Sequence, residues 1–557
     1  MHSAQGGTRN SNISTNIFVH NSSNEHPVYN PLPTNIRSPI NVNNLASALT
    51  NFPDSQITKY LLDGFNFGFD IGYSGSISPS RPHNLLSARN HPREVQEALN
   101  KELMRSHTSG PFKDPPFAIT HCSPLGAVPK KDGSFRIILD LSSPRDNSVN
   151  DGIDPDEFSV HYSSFDDAVT LIRLLGPGCE MGKMDIRHAF RLCPVRPADW
   201  PLLVMYWDNQ YYVDTRLPFG SRSSPYIFNT FADILAWILI HVFAISYVLH
   251  YLDDFFFADK CNKLQPHMDT AVQAFQWLGV PLATEKLEGP LQQITYLGIE
   301  IDSLNFTIRL PADKLLALNS ELNSWSNRRS CTKQELLSLI GKLSFAAKVI
   351  KPGRMFLRRL IDLSTTAKHL RHHIYLNAEA RADIKWWCNF LPCWNGISII
   401  QDKFIDADQI QLFTDASNLG FGGVFRNKWF SCKWPESLLH HHINVKEMFA
   451  VVAAVFTWGH HWHNKQIILF SDNSTVCTVW HATRCKDPNL MFYIRHLFLF
   501  AAKRNINLWI KHVPGSLNTS ADLLSRLQVA AFKLHHQEAH DTPSVINPHI
   551  WTLSSLL

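Results

Sequence analysis

The chain has 557 residues, of which 44% are hydrophobic and 18% charged, enough apolar material for two or three cores and too little charge for a solvated polymer. Its net charge of +4 permits a nucleic-acid partner without demanding one, because basic contact surfaces and acidic metal sites offset each other in the sum. The ten cysteines show no paired metal-ligand spacing, Cys388 and Cys393 being nearest in sequence, which argues against a disulfide scaffold or a zinc ribbon and for reduced, buried thiols.

The first sixty residues are rich in Asn, Ser, Thr and Pro and lack the charged start and apolar core of a signal peptide. Residues 1–84 are expected to be a largely disordered arm, and the protein to be intracellular, in cytoplasm or nucleus, and not secreted. Next, Val128-Pro129-Lys130-Lys131-Asp132-Gly133-Ser134-Phe135-Arg136 places Asp-Gly between two strand-like runs, a hairpin with cations on both arms. Such a ribbon can fold over a triphosphate, although a solvated basic turn has the same composition. Met184-Asp185-Ile186 reads as a strand end that offers a carboxylate followed at once by a main-chain carbonyl. A loop from Leu217-Pro218-Phe219-Gly220 to Pro225 then enters an apolar helix near Tyr226.

Residues 234–249 are apolar except for His241 and Ser246, yet the run is shorter than the roughly 18 residues of a membrane span. A helix followed by a central buried strand accounts for it without lipid. Between strand-like residues 245–250 and 255–258 stands Tyr251-Leu252-Asp253-Asp254. Two adjacent carboxylates at a hairpin tip repel each other unless a polyvalent cation lies between them. Residues 311–400 read as helical, with Pro311 opening one helix and Thr332-Lys333-Gln334-Glu335 forming a capping box. The cations Lys342, Lys348, Lys351, Arg354, Arg358 and Arg359 recur around Pro352-Gly353; they could track a duplex backbone, or form an ordinary solvated face.

A second acidic set follows. Asp415 ends the strand-like Gln411-Leu412-Phe413-Thr414 and a glycine-rich turn leads on to Phe421-Gly422-Gly423. Glu447 sits on a helical stretch that Asn444 could cap, Asp472 follows a strand over residues 466–471, and Asp522 opens a helix, where the dipole favours a carboxylate. Histidines cluster at 440–442 and 460–463 without a second ligand set in register, so they read as polar loop chemistry rather than a zinc site. His512 lies near the last acid but is not given a catalytic role.

The ordered set Asp185, Leu217-Pro218-Phe219-Gly220 and Tyr251-Leu252-Asp253-Asp254 resembles the palm motifs of reverse transcriptases. The order strand Asp415, helix Glu447, strand Asp472, helix Asp522 resembles ribonuclease H. The resemblance implies an α+β chain: a right-hand polymerase of fingers and palm over residues 85–305, a helical thumb and connection over 306–404, a ribonuclease H-like domain with a mixed sheet over 405–527, and a short tail over 528–557. Ser123-Pro124-Leu125-Gly126, Leu141-Ser142-Ser143-Pro144 and Ser148-Val149-Asn150-Asp151 look most like DIRS-like retrotransposons, while Ala521-Asp522-Leu523-Leu524-Ser525-Arg526 is shared with gypsy-like elements.

By that resemblance, Asp185, Asp253 and Asp254, with the Ile186 carbonyl, hold two Mg²⁺ ions that clamp an in-line phosphoryl transfer, and Asp415, Glu447, Asp472 and Asp522 hold two more that activate water against RNA. Mn²⁺ is the expected substitute. Arg136 and one of Lys130 or Lys131 contact the nucleotide phosphates, Phe190 excludes a ribose 2′-hydroxyl, Phe219 and Gly220 line the nucleotide and template, and Lys286, in Thr284-Glu285-Lys286, protonates the departing pyrophosphate. Lys342, Lys348, Lys351 and Arg354 hold the duplex. The expected partners are an RNA template, a DNA primer, the RNA–DNA hybrid, dNTPs and other retroelement-encoded proteins, without a membrane. Two competing expectations are a domesticated, catalytically silent nucleic-acid-binding relative and an RNA-copying RNA polymerase, against which Phe190 and the ribonuclease segment both argue.

Overall fold

The computed structural model describes residues 29–130, 133, 135–391, 397–399, 412–463, 465–482, 485, 487–504 and 506–554, with backbone alone at 351, 352, 397–399 and 554. Helices and sheets alternate irregularly, as an α+β chain requires. The chain divides into two units that interleave in sequence: one takes residues up to 161 with 186–238 and 274–281, the other 162–185, 239–273 and everything from 282.

In the first unit, Thr108–Phe112, Gln210–Asp214 and Val204–Trp207 form an antiparallel sheet in that order. The basic ribbon is a hairpin of Leu125–Pro129 with Phe135–Leu139, Val128 opposite Arg136, and Gly133 supplies the positive φ (+81°) that its turn needs. Much of the expected disordered arm is ordered instead. Val42–Ala48 and Ser55–Phe67 are helices, the second capped by Asp54, whose carboxylate accepts from the Gln56 and Ile57 N–H groups. Leu45, Leu61 and Phe65 are fully buried, and Phe65 meets the rings of Phe69 and Phe231 edge-on at 5.1 and 4.7 Å. Overall composition is polar there, but a few apolar side chains at helical spacing suffice once a core is present to receive them.

In the second unit, a four-stranded antiparallel sheet runs in the order Val248–Tyr251, Asp254–Asp259, Glu180–Asp185, Glu288–Leu291. Val248–Tyr251 is thus an edge strand, not the central one expected from its apolarity; the central strand is Asp254–Asp259, whose Phe255, Phe256 and Phe257 are wholly buried. Ala312–Trp325 starts after Pro311, and Lys333–Ala346 carries the expected capping box, Thr332 and Glu335 each bonding the other's main-chain N–H. No described helix is long and apolar enough to cross a membrane.

The same unit contains a five-stranded mixed sheet, ordered Lys428–Lys433, Gly420–Phe425, Leu412–Ala416, Gln466–Ser471, Asn507–His512. Its first two pairings are antiparallel and its last two parallel, the pattern of a ribonuclease H-like domain. The helix Ile443–Trp458 is buried from Val445 through Trp458, which explains why it is apolar on every face. Its N-cap is His442, whose Nδ1 accepts from the Asn444 N–H; Asn444 does not cap it but takes a bond from Asn473 Nδ2 at 3.0 Å. The helix Thr519–Ser525 approaches the sheet so closely that a Cβ on Gly422 would lie 2.4 Å from Leu524 Cβ. Residues 528–554 are part of this domain rather than a tail. Phe532 packs on Trp429, Ile546, Ile550 and Leu553 are buried, and the Ser544 N–H donates to Trp429 O at 2.6 Å.

Candidate active sites

Strand pairing assembles the first acidic site. Asp185 ends its strand, Asp254 begins the neighbouring one, and the two are register partners. Leu252 takes a left-handed φ of +55° in the tight turn, which delivers Asp253 beside them. Burial pushes the Asp254 carboxyl up to about 6, helped by the charges of Asp253 and Asp185. Asp253 is raised by burial and by Asp185. The 3₁₀ turn Thr284–Lys286 is held to this strand end by the Ala283 N–H, which donates to Asp185 O at 2.9 Å. It sets the Lys286 ammonium 2.9 Å from Asp185 Oδ2, and that hydrogen bond holds the ammonium above its ordinary range. A cation therefore already sits on the acids, so crowded anions and a stand-in charge together fit a divalent-metal site.

The nucleotide candidates lie in the first unit. Lys130 and Arg136 line a cavity of about 550 Å³ with Pro218 and Phe219; Lys131 lies outside the described residues. The Phe190 ring stands 5.2 Å from Phe219 and 5.5 Å from Phe228, and Ile186 is buried. Gly220 has φ +113°, and a Cβ there would be 2.8 Å from Leu139 O, so only glycine lets this loop lie against the hairpin. Asn150, read from sequence only as a subfamily marker, clamps the loop: its Nδ2 donates to Gly220 O at 3.0 Å and to Ser142 Oγ at 2.9 Å, and its Oδ1 accepts from the Arg222 N–H at 2.8 Å. Nothing local in the sequence marked it, because the contact spans seventy positions.

The second acidic site gathers Asp415, Glu447 and Asp472, whose carboxylate oxygens lie within 4.8 Å of one another. Burial pushes the Asp415 carboxyl up to about 6 despite a hydrogen bond from Ser525, with Asp472 and Asp522 adding to the rise. Glu447 is raised well above its ordinary value, by burial and then by Asp415 and Asp472. Its Oε2 is buried with no hydrogen-bond partner among the described residues, an orphaned oxygen that a cation would satisfy. Asp522, on Thr519–Ser525, accepts from Arg526 Nε at 2.8 Å and is not in the tight trio. His512 reaches the site through Asp472 O, 3.1 Å from its Nε2.

The expected duplex-binding cations fare less well. Lys342 is paired with Glu321 at 2.5 Å and Lys348 lies 5.9 Å over the Phe345 ring. Arg358 pairs with Asp362 and Arg359 with buried Asp383. Arg354 is exposed, and the Lys351 side chain lies outside the described residues.

Residues 128–301 match the family model described as reverse transcriptase (RNA-dependent DNA polymerase). The chain is 23% identical over 535 residues to the retrovirus-related Pol polyprotein from transposon opus of Drosophila melanogaster, which covers 89% of this chain and 49% of that protein. It is 20% identical over 440 residues to polyprotein P3 of Commelina yellow mottle virus, covering 73% of this chain and 21% of the relative. Among solved structures it is similar to a foamy viral protease-reverse transcriptase in complex with dsDNA, at 15% identity and a TM-score of 0.46, covering 87% of this chain and all of the other. The chain thus spans at most about half the length of these curated relatives. Residues 128–301, which hold the paired aspartates and the basic hairpin, are a reverse transcriptase domain of the retroviral and retroelement Pol type.

Proposed function

We propose that this chain copies RNA, and then DNA, into DNA and degrades the RNA strand of the resulting hybrid, as the polymerase and ribonuclease portion of a retroelement. The observation that carries the reading is the pair of separate carboxylate clusters, one on facing strands within the segment that matches the reverse transcriptase model and one on a mixed sheet. Mg²⁺ held by Asp185, Asp253 and Asp254, or by Asp415, Glu447, Asp472 and Asp522, would supply Lewis-acid activation of the attacking and leaving oxygens. Arg136 and Lys130 would neutralise the triphosphate, Arg136 with two oxygens at once. Phe190 would refuse a ribose 2′-hydroxyl, making the substrates dNTPs. Lys286, while on Asp185, keeps the acids from repelling each other, and once released it would be free to protonate pyrophosphate. A DIRS-like element is the source this reading favours, with internal domain limits near residues 305 and 404.

Asp185→Asn should abolish primer extension on an RNA template while hybrid cleavage persists, and Asp472→Asn should do the reverse. Loss of both activities from either change in a folded protein would rule out two independent sites.

A further inference from the structure

The first unit holds another cavity, of about 370 Å³, bounded by residues 30–37 together with Ser109, Trp200, Thr215 and Arg216. It shares no lining residue with the cavity of Lys130 and Arg136. The covering segment is pinned at both ends. Asn30 and Gly110 exchange two main-chain hydrogen bonds of 2.7 Å, Ser109 Oγ donates to Pro31 O at 3.0 Å, and Ser38 Oγ donates to Leu192 O at 3.0 Å.

Arg216 is 8% exposed, and its Nη1 is shut away from solvent with no hydrogen-bond partner among the described residues. A guanidinium cannot escape this by losing its proton under ordinary conditions. Asp214, two residues before it, gives no relief: its Oδ2 is held by Arg191 at 2.7 Å, and its Oδ1 accepts the main-chain N–H of Arg216 at 3.2 Å. Arg191 takes Glu102 as well, at 3.0 Å. Glu102 is shared further with Arg105 and His107, so among the described residues no carboxylate forms an ion pair with Arg216, although the charge of Asp214 still acts on it. Burial first, and Arg191 second, pull its pKa down to about 10. An unpaired buried charge is strongly destabilising, and it persists where an anion completes the pair. Among the described residues the lining offers two guanidiniums, Arg37 and Arg216, and several hydroxyls, but no carboxylate. The Ser109 and Thr215 hydroxyl protons already go to Pro31 O and His107 O; the two guanidiniums with Thr34 and Ser106 still exceed what the two oxygens of a carboxylate can use and suit the three of a phosphate.

We propose that this cavity binds a phosphate group carried on a molecule no larger than a mononucleotide, with Arg216 as the buried anchor and Arg37 at the rim. The volume is near the lower end for ligand pockets, which start at about 300 Å³. The site stands apart from the polymerase reading.

The test is calorimetric titration of the whole chain with sodium phosphate, pyrophosphate and AMP, against acetate at matched ionic strength. It is run in a Lys130→Ala/Arg136→Ala background so that the other basic cavity is silent. Saturable millimolar phosphate binding is expected there, weakened about tenfold by Arg37→Ala and lost in Arg216→Met. Because Arg216→Met removes a buried group and can misfold, Arg37→Ala decides the matter on its own. Phosphate binding with AMP excluded supports the site with the free ion as its ligand, and equal or tighter AMP binding supports a nucleotide. Absence of saturable phosphate binding, indifference to Arg37→Ala, or equal affinity for acetate overturns the proposal.

Discussion

Asp415→Asn tests how the second acidic site is built. Burial and its acidic neighbours lift this carboxyl from 3.8 to about 6, roughly two units, which at about 1.4 kcal/mol each amounts to about 3 kcal/mol. The native state binds this proton more tightly than the unfolded chain does. The contribution to stability is therefore complete below about pH 4 and is lost as the pH rises through about 6. At about pH 7.5, with metal chelated, the wild-type protein carries an ionised Asp415 against Asp472 and Asp522, and the neutral amide relieves it. Asp415→Asn should then unfold at higher urea, by about 1 to 3 kcal/mol at neutral pH, and the advantage should shrink toward zero near pH 4. Mg²⁺ should stabilise the wild type and do little for the variant. Near-ultraviolet circular dichroism is a suitable readout, since Trp429, Trp434 and Trp458 are buried in this domain. A variant no more stable than wild type in chelator at neutral pH, or an equal response of both proteins to Mg²⁺, would refute the electrostatic argument.

Gly220→Ala puts a Cβ 2.8 Å from Leu139 O at a positive φ; we expect a loss of about 1–3 kcal/mol in local stability, read as a raised KM for dNTP in primer extension. Asn150→Ala frees Gly220 and Arg222 from their shared clamp and should raise the same KM several-fold, with Asn150→Asp failing to rescue because a carboxylate cannot donate to Gly220 O. Phe190→Ala should raise NTP incorporation relative to dNTP by about 10- to 100-fold; an unchanged ratio would remove Phe190 from sugar selection.

The acids were legible in sequence because each sits at a strand end or helix start that local pattern marks, and because their order along the chain is itself informative. The capping box at Thr332 and the Asp-Gly hairpin were legible for the same reason: their partners lie within four residues or directly across a turn. What escaped depends on distant partners. Leu45, Leu61 and Phe65 become core residues only through rings such as Phe231, far along the chain. Asn150 acts across seventy positions, and Lys342 looked free until Glu321 met it from a neighbouring helix. The interleaving of the two units has the same origin, since strand pairing joins residues 180–185, 248–259 and 288–291 while residues 186–238 and 274–281 between them belong to the other unit.

The folded C-terminal stretch bears on how the protein can be handled. Asn547 donates to Phe456 O at 3.0 Å, and Ile550 and Leu553 are buried in the same core as the helix that presents Glu447. An expression boundary drawn at Arg526, where the motif runs out, would uncover that helix's far end and produce an insoluble fragment. A boundary drawn past Leu553 would leave it covered.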